Sequence, residues 1–229
     1  MAHEVLPPLD YDDRTPRTEH RYLAAGMYGR EFLSPAQGSV LNVAAGHTDL
    51  AGDLADMGQS GVQVVSLDPM YGSSPWYSTK ADRVPGVAQE IPYDDNTFAA
   101  TLCQYGLQHM AGQQSPAIRE MVRVTRPVED IHDNTGGTIL LNPVFKVDVL
   151  TDAIRKGGLA DVCGIQAPPA DVRDRLAKPT LVIKKVPALT PDKIERLVEA
   201  IENTAALEPS RRSIGERLSR LVFRGDSSY

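Results

Sequence analysis

Short apolar runs alternate with helix-periodic stretches through the middle of the chain, and that alternation predicts a sheet wound between helices. Val40–Ala44 reads as the first strand, and residues 49–57 read as a helix stopped by Gly58 and Gly61. Val62–Leu67 is a second strand, followed by a loop holding Gly72, Pro75 and Trp76. Residues 83–88 contain a short third strand, and Phe98–Gln104 forms a fourth. Residues 116–125 place Ile118, Met121, Val122 and Thr125 on one helical face, with Glu120 just ahead of Arg123. Thr138–Asn142 is a fifth strand, and residues 147–156 form a helix ended by Gly157-Gly158. Leu181–Val186 is a later strand, paired through a meander with residues around 161–165. Strands alternating with helices imply a mainly parallel sheet with right-handed crossovers.

The ends differ from this middle. Pro7, Pro8 and Pro16 among many charges predict an arm or loop over residues 1–17. Tyr22, Leu23, Met27, Tyr28 and Phe32 recur at near-helical spacing, so a helix is expected over 18–33, broken by Ser34-Pro35 and Gln37-Gly38. After Thr190 a helix opens with Thr as N-cap and Pro191 in the first turn, carrying Ile194, Leu197, Val198 and Ile201 as one stripe. Residues 209–224 repeat the amphipathic pattern and add Arg211, Arg212, Arg217, Arg220 and Arg224. These arginines are read as a solvated face of a helical cap, with a partner-docking or RNA-contacting appendage as the sharper alternative. The expected organisation is an arm and helix over 1–37, a Rossmann-type domain over 38–189, and a helical C-terminal appendage over 190–229.

Composition narrows the class. The 229 residues are 41% hydrophobic and 24% charged, with a net charge of −6. A chain of this length buries a sizeable core without a disulfide or metal staple. The negative balance argues against a broad nucleic-acid surface, which needs clustered cations. Cys103 and Cys163 lie far apart with no metal-ligand spacing, so no metal site is expected and a reducing compartment fits. No apolar run reaches the roughly 18 residues of a membrane span, and the polar start has no signal core, so a cytoplasmic, soluble protein is expected.

The chemistry concentrates at the ends of the first two strands. Ala44, Ala45 and Gly46 form a small-residue turn that allows close backbone approach of a ligand, and the following helix is expected to aim its amides at it. Asp68, before Pro69 at the end of the second strand, is placed to accept hydrogen bonds from a ribose diol. The three-glycine dinucleotide fingerprint is missing, which sets aside a nicotinamide-dependent oxidoreductase, and a phosphate-binding Gly-Lys-Ser/Thr loop is also absent.

Across residues 38–142 this order resembles the class I S-adenosylmethionine-dependent methyltransferases, in their small-molecule-type branch. Residues 40–50 resemble the family's first motif, and residues 64–68 its second, whose acid holds the ribose. Residues 88–98 resemble the segment passing the adenine, residues 103–110 the exit from strand four, and residues 118–127 with 136–141 the helix, turn and fifth strand. The resemblance implies a doubly wound, mainly parallel seven-stranded α/β sheet with helices on both faces, with a helical C-terminal cap beyond it. It implies S-adenosylmethionine as cofactor, held by Asn42, Ala44, Gly46, His47, Asp68, Pro69, Ala88 and Gln104. Methyl transfer to a small-molecule or otherwise unidentified acceptor is the expected activity.

Several positions depart from the family pattern. Asn42 stands for an acid, Ala44 and Thr48 for glycines, Val87 for the acid that receives the adenine amino group, and Ala99 for another acid. Residues 128–135 are an insertion. Asn42, Thr48, Val87 and Ala99 motivate a second reading, a non-catalytic methyltransferase-fold module that has lost or weakened its cofactor. His109 and Tyr105 are the candidates for substrate-facing catalytic groups, with His109 alternatively packing at a helix start. Trp76 and Tyr77 either cover the adenosine or pack. Asp94-Asp95 is read as a solvated turn, and Asn142-Pro143 as a strand stop.

Overall fold

In a computed structural model, the described residues are 23–46, 49–59, 61–72, 82–110, 112–170, 177–204 and 206–207. His47, Thr48, Trp76, Tyr77, the N-terminal arm and the arginine-bearing 209–224 segment lie outside them.

Seven strands form one sheet in the order β3-β2-β1-β4-β5-β7-β6. They are β1 (Val40–Val43), β2 (Val64–Asp68), β3 (Arg83–Pro85), β4 (Ala100–Gln104), β5 (Thr138–Asn142), β6 (Cys163–Gln166) and β7 (Thr180–Lys184). The first five run parallel, and β7 inserts antiparallel between β5 and β6. The predicted meander between 161–165 and 181–186 is thus a hairpin-like pair, with β7 also lying beside β5.

Alternation along the strands sends successive side chains to two cores. Leu41, Val43, Cys103, Ile139, Leu141, Leu181 and Ile183 face one core. That core is covered by α3 (Gln114–Val124), α4 (Val147–Lys156) and α5 (Pro191–Thr204) through Ile118, Met121, Leu150, Ile154, Leu197 and Ile201. Val40, Ala100, Leu102 and Leu140 face the other core, covered by α1 (Leu23–Tyr28) and α2 (Leu50–Asp56). The helix expected over 18–33 is described from Leu23 and passes into a π-helical turn at Gly29–Leu33. α3 begins at Gln114, two residues before its expected start.

Local chemistry sets the helix ends. Asp49 Oδ1 accepts the Gly52 N–H at 3.3 Å and caps α2. Arg155 and Lys156 sit in the last turn of α4, where the helix dipole favours cations, and Gly158 at φ 64 ends it. The predicted cap of α5 forms, with Thr190 Oγ1 accepting the Lys193 N–H at 3.4 Å. α5 is joined to α3 by a bidentate Arg119–Glu195 pair at 2.9 and 2.7 Å. Among the described residues no helix is long and apolar enough to cross a membrane.

Candidate functional site

The carboxyl ends of β1, β2, β4 and β5 point the same way, which is where open α/β sheets bind ligands. β1 does not extend through Ala44 as expected. Its last residue is Val43, and Ala44 (φ 53) and Gly46 (φ 55) turn the chain sharply. Apart from its chain neighbours, no heavy atom of the described residues lies within 4 Å of where a Cβ at Gly46 would sit.

Asp68 closes β2, is buried, and meets this turn directly. Its Oδ2 accepts the Gly46 N–H at 2.9 Å, and its Oδ1 accepts the Met70 N–H at 2.9 Å. Each carboxylate oxygen keeps a further lone pair for another donor. Pro69 opens a 3-10 turn, Pro69–Gly72, and is exposed. That turn carries a residue the sequence reading did not single out. Tyr71 is buried against Ala45 and donates its hydroxyl to the Gly46 carbonyl at 2.8 Å. Arg83 lies over its ring, 5.3 Å from the centroid. Burial pushes the Tyr71 hydroxyl up to about 12, with Arg83 opposing and Asp68 adding to the shift. The tyrosine therefore stays protonated and able to donate near neutral pH.

On the other side of β1, the exit from β4 packs against the same turn. A Cβ added at Gly106 would sit 2.5 Å from the Ala44 Cβ and 2.7 Å from Cys103 Sγ. Tyr105 stands at φ 59, its N–H donating to the Asn142 carbonyl at 2.7 Å. Gln104 is half-buried, and its Nε2 lies 3.9 Å from Met27 Sδ of α1. Cys103 is fully buried, and desolvation raises its thiol to about 12, so it remains a packed thiol.

The remaining candidates are distributed around this rim. Asn42 is buried in β1, in register with Ser66 and Leu102. Ala88 is buried in the main core, whereas Val87, 43% exposed, presents no carboxylate to the rim. Val87, Glu90, Ile91, Pro92, Tyr93, Asp94 and Thr97 line an open groove of about 730 Å³ together with Pro85 and Gly86. His109 is not a packed helix-start residue. It ends a short 3-10 turn, Leu107–His109, is exposed, and has its Nε2 3.1 Å from Gln108 Nε2. Neighbouring chain still desolvates its ring enough to lower its pKa below the ordinary histidine value. The Asp94-Asp95 turn is more than a solvated one, because Asp95 pairs with Arg123 at 2.8 Å. Among the described residues no group of three or more His, Cys, Asp or Glu is arranged to hold a metal.

A seven-stranded sheet with β7 reversed beside β5, and an acid at the end of β2 bound to a small-residue turn after β1, define a class I methyltransferase-type domain. A family model described as "Methyltransferase domain" matches residues 41–128. The demethylmenaquinone methyltransferase of Mycobacterium bovis is 36% identical over 110 residues, covering 48% of this chain and 45% of that protein. That of Mycolicibacterium gilvum is 36% identical over 96 residues, covering 42% and 40%. The chain thus spans less than half the length of the curated relatives it matches. Among solved structures, the YcgJ protein of Bacillus subtilis matches with a TM-score of 0.37 and 22% identity, covering 54% of this chain and 52% of that one. Residues 41–128 thus match a methyltransferase-domain model, and they lie within a sheet of the methyltransferase type.

Proposed function

We propose that this protein transfers a methyl group from S-adenosylmethionine to a small-molecule acceptor. The observation that carries the reading is the contact of Asp68 with Gly46. It places an acid with spare lone pairs beside a turn at which no described side chain crowds Gly46, an arrangement that suits a ribose diol and an adjoining chain. Asp68 would hold the ribose, and Ala44 and Gly46 would let the backbone approach. Ala88, Gln104 and Asn42 are the other described candidates for the cofactor.

S-adenosylmethionine supplies an already activated methyl group, so the protein's share of the work is mainly alignment of donor and acceptor. A catalytic base is required only for acceptors that must lose a proton, and His109 and Tyr105 are the candidates at the rim. The acceptor class is proposed from the relatives named for demethylmenaquinone methylation, and a naphthoquinol-type ring is the first acceptor to assay.

Val87 and Ala99 support the second reading, a methyltransferase-fold module with weakened cofactor binding, because neither carries the acid expected at its position. Calorimetric titration with S-adenosylhomocysteine separates the two. Saturable heat supports the enzyme reading, and absence of heat at high protein concentration favours the module.

A further inference from the structure

Asn142 ends β5 at the carboxyl rim and is 2% exposed. Its Nδ2 donates to the Lys178 carbonyl at 2.8 Å, to Thr180 Oγ1 at 3.1 Å and to the Pro179 carbonyl at 3.2 Å. Two carbonyls around one atom settle which end of the amide is nitrogen, since a carbonyl accepts and never donates. The Oδ1 therefore faces the other way. It is buried, and no donor among the described residues hydrogen-bonds it. A buried carbonyl oxygen without a partner is costly, and such an atom in a folded protein calls for a donor from outside the chain.

Its surroundings point to a ligand. Leu102 and Leu140 face α1 and α2, so Gln104 and Asn142, each two residues further on and in register with each other, share that face. Gln104 is half-buried, and among the described residues its Nε2 meets only the Met27 thioether, a weak acceptor. α1 roofs the same place, with the Tyr28 hydroxyl 3.0 Å from Thr180 Oγ1. Asn142 lies two strands from β1, about 10 Å at the usual strand spacing, so it is set to one side of the cofactor turn. The backbone between them is held at φ 53 and φ 59 in the non-glycine residues Ala44 and Tyr105, and strain of this kind gathers at ligand sites.

We propose that Asn142 Oδ1, with the Gln104 carboxamide beside it, is the subsite that receives a hydroxyl or amino group of the methyl acceptor. The subsite binds and orients through a hydrogen bond, and the proton stays on the acceptor while it is bound. It favours neutral donor-bearing molecules over carboxylates, which would meet an acceptor oxygen with another. The assignment to the methyl acceptor rests on the methyltransferase reading, while the donor-binding site itself does not.

The test uses two probes of similar shape, 1-naphthol and 1-methoxynaphthalene, titrated calorimetrically into the full chain. One hydrogen bond corresponds to roughly fivefold, so naphthol is expected to bind about fivefold more tightly or better. In Asn142→Ala the two affinities converge. Should that variant not fold, the side-chain amide signal of Asn142, one of five asparagines, is followed in the ¹⁵N-labelled native chain. It is expected to shift with naphthol and not with the ether. Equal affinities, no binding of either probe, or an unmoved Asn142 signal overturns the subsite. S-adenosylhomocysteine is titrated in parallel: loss of that binding with the naphthol preference intact sinks the methyltransferase reading alone.

Discussion

Gly46 donates its backbone N–H to Asp68 Oδ2 at 2.9 Å, which ties the turn after β1 to the last residue of β2 across 22 positions of sequence. The same carboxylate also takes the Met70 N–H. One side chain thereby sets the turn's shape and presents its remaining lone pairs to the rim. Substituting Asp68→Asn puts an amide nitrogen opposite one of those two N–H groups. We expect a loss of about 1–3 kcal/mol in stability, measured by urea unfolding. Affinity for S-adenosylhomocysteine should fall tenfold or more on the ordinary cost of losing charged hydrogen bonds, roughly 1.5–3 kcal/mol. Unchanged affinity in a folded Asp68→Asn protein would mean that the ribose does not meet this acid.

Tyr71 approaches the turn from the opposite side, through the Gly46 carbonyl. Tyr71→Phe keeps the ring under Arg83 and against Ala45 while deleting the hydrogen bond to the Gly46 carbonyl. The expected cost is about 1 kcal/mol. Because the lost bond holds the turn rather than a ligand, the effect should appear as a rise in KM for S-adenosylmethionine with little change in kcat. A fall in kcat at unchanged KM would count against a positioning role.

The fold was legible in the sequence where a local pattern carried it. β5 and α4 appear over their predicted residues because an apolar run marks the strand and Gly157-Gly158 ends the helix. That the Gly46 turn and Asp68 close neighbouring strands was legible through the strand–turn–helix–strand order, whereas the hydrogen bond between them was not. Tyr71 was not, since its role depends on a hydrogen bond between residues 25 positions apart that no periodicity encodes. Asn142 read as a strand stop because the following proline explains it locally. Its buried amide acquires meaning only from residues 178–180, brought beside it by the reversed β7. His109 illustrates the converse, a residue with suggestive chemistry that the fold leaves exposed beside Gln108.

Gly106 offers a test of how tightly the two turns are packed. Gly106→Ala places a methyl 2.5 Å from the Ala44 Cβ and 2.7 Å from Cys103 Sγ, and overpacking of this kind costs about 1–3 kcal/mol. Ala44→Gly removes one of the two clashing atoms and also relieves a non-glycine φ of 53. The double variant should therefore recover part of the loss, giving a coupling of about 0.5 kcal/mol or more in a denaturation cycle. Strict additivity would show that the turns do not touch as described.

Acid should expose the clamp that fastens the 91–95 segment to α3. Arg123 spends its donors on both oxygens of Glu120, on Asp95, and on the carbonyls of Ile91 and Tyr93. Glu120 also accepts the Ile91 N–H at 2.9 Å. The hydrogen bonds from Arg123 hold the Glu120 carboxyl below its ordinary value of 4.5, against the opposing effect of burial. A carboxyl depressed in the folded state contributes its full stabilisation above the unfolded pKa and loses it as pH falls through the folded one. Glu120→Gln should therefore be less stable than the native protein at about pH 7, by about 1–2 kcal/mol for a partly exposed charged pair. The difference should shrink once pH drops below 4.5 and the native carboxyl protonates. Urea midpoints of the two proteins, followed from neutral pH into acid, should converge; parallel curves would mean that Glu120 owes no part of its stabilising role to its charge.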